Sequence, residues 1–282
     1  MNNRPPDQYI QVQGHRIRYW QQGDSGSTVL LLHGISCSVL EWEHNIAALA
    51  TQHRVIALDL LGCGLSDKPL DASYDMESQA RFVFDFMDAM GLSSVNLVGN
   101  SMGGRIAMEC AAMHPERVNS LVLSAPAGVG VDTLFNFRLA SIPVLGELLT
   151  KPSMFGLGMI WKLAFHNKSF VTRDLVAEKL MLAQQPHAQT VFLTTLRSLL
   201  GFAGFHAAPR QAFHARIAKI RCPSLVIWGQ QDQFLPVCHV PILKPLLPHA
   251  RYELVDQCGH VPMTEITDRF NSMILDFLKQ LP

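Results

Sequence analysis

The sequence predicts an α/β fold: a mostly parallel central sheet covered by helices on both faces, with one helical insertion. Three observations predict it. Short β-branched, apolar runs alternate with stretches of helical spacing up to about Gly128, the pattern of a parallel sheet between two helical layers. The alternation then stops, runs helical to about Ala212, and resumes with a strand-like run ahead of Asp232. Between the strand-like Val95-Asn96-Leu97-Val98 and the helical stretch from Arg105 to Met113 stands Gly99-Asn100-Ser101-Met102-Gly103-Gly104, a sharp strand-to-helix corner.

Taken in order, residues 9–22 alternate around Gln13-Gly14 and predict an antiparallel hairpin. Strands follow near residues 28–32, 54–58, 95–99 and 118–124, with a helical stretch over 76–90. The insertion holds helical stretches over 173–184 and 188–200 and no clear strand. Leu225-Val226-Ile227-Trp228 and Tyr252-Glu253-Leu254-Val255 read as the last strands. The 282 residues suffice for one well-buried core plus a subdomain. The expected division is a core of residues 1–128 and 213–282 around a helical segment of residues 129–212.

A serine at such a corner is held in a strained backbone conformation with its hydroxyl above the sheet. Small residues two before and two after it, Gly99 and Gly103, let strand and helix approach closely. The pattern lacks the lysine of a phosphate loop, and the blander reading is a structural turn serine. A nucleophilic Ser101 needs a base, and the base needs an orienting acid. Among twelve histidines, His260 stands out in Asp256-Gln257-Cys258-Gly259-His260-Val261-Pro262, a loop straight after a strand. Its alternative role is to cap the following helix.

G-x-S-x-G at a strand–helix corner resembles the α/β-hydrolase superfamily, in particular its serine-nucleophile members with a helical cap. The resemblance covers nearly the whole chain and implies a triad of Ser101, Asp232 and His260 in that order. Asp232 follows a strand in Gly229-Gln230-Gln231-Asp232, whereas Asp256, closer to His260 in sequence, ends the histidine's own strand. It further implies an oxyanion hole from the backbone amides of Ile35 and Met102, with Gly34 permitting the turn and His33 structural. Asp59-Leu60-Leu61-Gly62-Cys63-Gly64-Leu65-Ser66-Asp67 is similar to the family's second loop and is expected to be a structural turn. The insertion corresponds to the cap, and its Phe135, Phe137, Leu139, Met154, Phe155, Met159, Trp161, Phe165, Phe192 and Phe202 are expected mostly to pack against the core. A few would line an apolar pocket.

The resemblance implies a small-molecule substrate, and composition adds no macromolecular partner. Lys plus Arg equals Asp plus Glu at 23 each, so nothing points to nucleic acid. Residues 129–212 carry eight Lys/Arg and four Asp/Glu, an excess expected to be mostly solvated surface. The stretch Met1 to Asp7 has no apolar signal region, and no run reaches the roughly 20 apolar residues that span a bilayer. Six scattered cysteines without metal-ligand spacing fit a reducing compartment, so a cytoplasmic location is expected. Cys258, near His260, is the alternative nucleophile but has no oxyanion site around it. No metal or organic cofactor is implied, and the oligomeric state is left open.

With a serine at the corner, the expected reaction is acyl transfer to water, on a carboxylic ester of a small, largely apolar substrate. The alternative is a carbon–carbon hydrolase of aromatic ring-cleavage products. Val98-Gly99-Asn100-Ser101-Met102-Gly103-Gly104 is similar to that group's corner, with Asn100 and Gly128 at comparable places. Val261, however, stands where that group typically carries a tryptophan. A ligand-binding receptor with minor turnover is the reading from another class.

Overall fold

A computed structural model describes residues 4–281; Met1 to Asn3, the start of the polar N-terminal stretch, lie outside the described residues, as does Pro282. The strands are β1 (Gln8–Val12), β2 (His15–Gln22), β3 (Thr28–Leu32), β4 (Arg54–Leu58), β5 (Val95–Asn100), β6 (Val118–Ser124), β7 (Leu200–Gly201), β8 (Gly204–Phe205), β9 (Ser224–Gly229) and β10 (Arg251–Val255). Eight of them form one sheet in the order β1-β2-β4-β3-β5-β6-β9-β10. The hairpin β1–β2 joins β4 antiparallel, and every pairing from β4 to β10 is parallel.

Because side chains alternate along a strand, each buried strand feeds two cores. Leu30, Leu32, Ile56, Leu58 and Leu97 enter one, together with Phe82, Val83 and Phe86 of helix Met76–Ala89 and Ile106 and Cys110 of helix Met102–Met113. Val29, Leu31, Val55, Ala57 and Val98 enter the other, against Ile46, Leu49 and the Phe270, Ile274, Phe277 stripe of helix Thr267–Lys279. The first of these helices starts on Asp75, whose carboxylate accepts from Ser78 N at 2.9 Å. After β3 the chain winds to β4 on one side; after β4 it crosses to β5 on the other. The crevice between the C-terminal ends of β3 and β5 is therefore a topological switch point, where open α/β sheets bind ligands.

Between β6 and β9 the chain forms helices Phe135–Ala140, Leu145–Leu149, Met154–Ala164, Arg173–Ala183, Ala188–Leu199 and Ala207–Ile217. Two details depart from the sequence reading. The two-residue strands β7 and β8 pair across a tight turn that Gly204 permits at φ 101°; they are too short to show an alternating pattern. The last helix runs through the expected boundary at residue 212. A third departure is larger. Phe135, Met154, Phe155, Met159 and Phe202 do not pack against the core but are exposed, whereas Phe165 is buried. Among the described residues no helix is long and apolar enough to cross a membrane.

Candidate active site

Ser101 sits between β5 and helix Met102–Met113 with φ 55° and ψ −115°, a conformation that non-glycine residues rarely adopt. Backbone bonds hold it there: its N–H donates to Ser124 O at 2.9 Å, and its carbonyl accepts from Ala127 N at 3.0 Å and Arg105 N at 3.1 Å. The flanking glycines are sterically required. A Cβ on Gly99 would lie 2.4 Å from the Gly103 backbone, and one on Gly103 would lie 2.1 Å from Leu32 O. Strand β5, the helix and the end of β3 thus converge at the serine.

His260 lies in the loop after β10, where its backbone N–H donates to Ala164 O at 2.7 Å. Its Nδ1 donates to Asp232 Oδ2 at 2.7 Å, in a buried pair. The other carboxylate oxygen of Asp232 accepts from Phe234 N (2.8 Å) and Leu235 N (2.9 Å), so the acid cannot rotate without losing three bonds. The ring of Phe234 lies 4.9 Å from the imidazole, centroid to centroid. Asp256 is exposed and accepts from Gln231 Nε2 at 2.8 Å, so it is not the histidine's partner. Cys258 is buried, with its thiol pushed up by burial, and it does not line the cavity over Ser101. Among the described residues Ser101 Oγ makes no hydrogen bond; it faces the same cavity as His260.

The loop after β3 supplies the opposite wall. Gly34 packs 3.5 Å from Ser101 Cβ (measured from its own would-be Cβ), and Ile35 lines the cavity beside it. Met102 N–H opens the helix and has no partner four residues back within it, as for any first-turn amide. His33 braces this loop: Nδ1 bonds to Gly34 O at 2.7 Å, while Nε2 accepts from Leu60 N at 3.1 Å. Burial pushes its pKa down to about 4, so it is a neutral strut. Asp59 ties the second loop to the first by accepting from Leu65 N and Val39 N, each at 2.7 Å. A Cβ on Gly64 would strike that carboxylate, which accounts for the glycine there.

The cavity measures about 670 Å³ and is mostly apolar, with Ile35, Phe137, Leu139, Phe155, Trp161 and Phe192 among its lining. Sequence reasoning missed three features of it. Asn100 Nδ2 donates to His260 O at 3.1 Å as well as to Ser124, so the residue before the serine anchors the histidine loop. Glu41, from the turn after β3, and Lys179, from helix Arg173–Ala183, form a buried ion pair in the cavity wall. Burial opposes the lysine's charge, but the Glu41 carboxylate outweighs it and holds Lys179 above its ordinary pKa. The Lys179 ammonium also lies 4.4 Å over the Trp161 ring. Residues 138 apart in sequence leave no local signal of such a pair.

Comparison with known proteins adds a family and several likenesses. A family model described as alpha/beta hydrolase fold matches residues 27–265. A protein of Paraburkholderia phymatum named 2-hydroxy-6-oxononadienedioate/2-hydroxy-6-oxononatrienedioate hydrolase is 32% identical over 273 residues, covering 94% of this chain and 91% of that one. The structure of a meta-cleavage product hydrolase from Pseudomonas fluorescens superposes with a TM-score of 0.83 at 26% identity, covering 98% of both chains. That of a membrane phospholipase A described as a bacterial virulence factor gives a TM-score of 0.81 at 29% identity, covering 98% of this chain and 86% of that one.

Proposed function

The chain belongs to the alpha/beta hydrolase fold family, and from that premise we propose that it is a serine hydrolase cleaving a carboxylic ester of a small, largely apolar substrate through an acyl-enzyme. Ser101 Oγ attacks the ester carbonyl as His260 Nε2 takes its proton. Asp232 fixes the tautomer and stabilises the imidazolium. The amides of Ile35 and Met102 receive the developing oxyanion. The proton passes to the leaving alkoxide as the C–O bond breaks. A water deprotonated by His260 then attacks the acyl carbonyl, and as the acyl–Oγ bond breaks His260 returns that proton to Ser101 Oγ and the carboxylic acid leaves. Residues 129–212 act as the cap that covers this chemistry and excludes water.

The observation that carries the choice of a neutral ester is the Glu41–Lys179 pair. A carboxylate entering the cavity needs a free cation, and there Lys179 is already neutralised by Glu41. Among the described lining residues the other lysine is Lys151, which is exposed. A bound anion would therefore face the Glu41 carboxylate in a low-dielectric site, where like charges repel strongly.

The names of the relatives favour the second reading, carbon–carbon hydrolysis of a meta-cleavage product, more than the ester. The same triad serves it, with a carbanion as leaving group that the substrate must first ketonise to stabilise. Against it stand Val261 at the place of a tryptophan and the occupied Lys179. The deciding experiment assays purified protein on p-nitrophenyl esters of increasing chain length beside a yellow ring-cleavage dienoate. Ester turnover that rises with chain length, about fourfold per buried methylene until the cavity fills, supports the proposal. Rapid bleaching of the dienoate beside flat, very low ester activity establishes the carbon–carbon hydrolase instead.

A further inference from the structure

The helical insertion carries an apolar face that nothing in the chain covers. Among the described residues fourteen large apolar side chains are exposed, and six of them fall within residues 144–159: Val144, Leu148, Leu149, Met154, Phe155 and Met159. Val144 and Phe155 are the most exposed, at 73% and 78%. A patch concentrated in this way marks an interaction surface. Four of the six (Leu148, Leu149, Phe155 and Met159) also line the cavity over Ser101, so the face is the rim of its mouth.

The segment's own charge is mostly basic, and Glu265, an acid packed against it, is tied to the amides of Asn167 and Gly259. Residues 144–168 contain Lys151, Lys162 and Lys168 against a single acid, Glu147, whose carboxylate is bonded to Arg197 at 2.8 Å. Lys151, Lys162 and Lys168 are exposed, and Lys168 donates to the carbonyls of Lys162 and Phe165 at the helix C-terminus. Apolar side chains bordered by lysines match the acyl region and headgroups of an anionic lipid surface. A second copy of the chain fits worse, because a two-fold contact would set lysines against lysines and seal both mouths. Helix Met154–Ala164, eleven residues, is too short to span a bilayer but long enough to lie in its interface.

We propose that residues 144–168 form an interfacial docking surface for anionic phospholipid, which seats the cavity mouth on the membrane so that an apolar acyl substrate enters from the lipid. The inference deepens the apolar-ester reading and rests on it for the identity of what enters, but the docking itself is independent of turnover.

The test measures sedimentation with vesicles using Ser101→Ala, so that a failure of docking and a failure of the ester reading are told apart. Vesicles of phosphatidylcholine alone are compared with vesicles of phosphatidylcholine and phosphatidylglycerol in equal parts. The double variant Val144→Asn, Met154→Gln removes two rim side chains that do not line the cavity. Val144 and Met154 are both exposed, so the substitutions remove little packing and the fold is not threatened. Expected are binding to the anionic vesicles that weakens with salt, and a loss of about tenfold or more in the double variant. The same two substitutions on the Ser101 background should leave hydrolysis of soluble p-nitrophenyl acetate within about twofold. No binding, equal binding to both vesicles, or binding unchanged in the double variant overturns the proposal. So does a dimer of the wild type that the double variant dissociates, which would assign the face to a second copy.

Discussion

Asp232→Asn is the substitution whose consequence the geometry specifies most fully. One oxygen of Asp232 accepts the amides of Phe234 and Leu235 at 2.8 and 2.9 Å, and the other faces His260 Nδ1 at 2.7 Å. An asparagine keeps the two backbone bonds only by turning its carbonyl towards them, which leaves its NH₂ against Nδ1. The imidazole must then accept at Nδ1 and carry its proton on Nε2, the nitrogen that should take the proton of Ser101. Loss of the orienting tautomer and of the charge that stabilises the imidazolium costs about 10⁴ in rate, or roughly 5.5 kcal/mol of transition-state stabilisation. The two backbone bonds survive and the third reverses its direction, so the thermal midpoint should move little. The assay is kcat/KM on a p-nitrophenyl ester, with circular dichroism to confirm folding and Asp256→Asn as control. Asp256 is exposed and bonds Gln231 rather than His260, so its variant should stay within about threefold of wild type. A folded Asp232→Asn enzyme with activity within tenfold of wild type, or a collapse of Asp256→Asn, would refute the assignment.

Three further outcomes are expected. Glu41→Gln frees Lys179 to receive an anion, so kcat/KM for a p-nitrophenyl hemiglutarate relative to the valerate should rise about tenfold; an unchanged ratio would show that the pair does not set charge preference. His33 is neutral in the folded protein down to about 4 and titrates near 6.5 when unfolded, so the unfolded state takes up the proton first. Its contribution is complete above about pH 6.5 and is lost as pH falls towards 4, by about 3 kcal/mol in all. Asp59, raised by burial to about 6, acts in the opposite sense over an overlapping window, so the denaturant midpoint of His33→Asn is compared with wild type at each pH to isolate the imidazole. Val144→Gly relieves a β-branched residue held at φ 68° and ψ −49°, where only a residue without Cβ is unstrained, and should raise stability by about 1 kcal/mol, read as a rise of a few degrees in Tm; a fall would mean that the isopropyl group packs productively.

The sequence made the sheet legible because its parallel strands are short β-branched runs, and burial follows from that composition alone. Ser101, Asp232 and His260 were legible because each ends a strand in a local pattern, and the Asp232–His260 bond of 2.7 Å brings two of them together. What stayed hidden depends on distance along the chain or on backbone conformation. Glu41 lies in the turn after β3 and Lys179 on an inserted helix, and each alone reads as an ordinary surface charge. Asn100 could be placed beside Ser101, but not its bond to the carbonyl of His260, 160 residues away. Met154, Phe155 and Met159 suggested packing against the core, since hydrophobicity says nothing of which way a helix faces when it is apolar nearly all round.

Trapping the acyl-enzyme tests the central claim most directly. The protein is mixed with a p-nitrophenyl ester, quenched in acid within the first turnovers, digested and analysed by mass spectrometry. Formation of a covalent intermediate predicts an added mass equal to the acyl group on the peptide containing Ser101, absent from Ser101→Ala, with a burst of p-nitrophenol matching the enzyme concentration. An acyl group on another residue, or turnover that persists in Ser101→Ala, would contradict it.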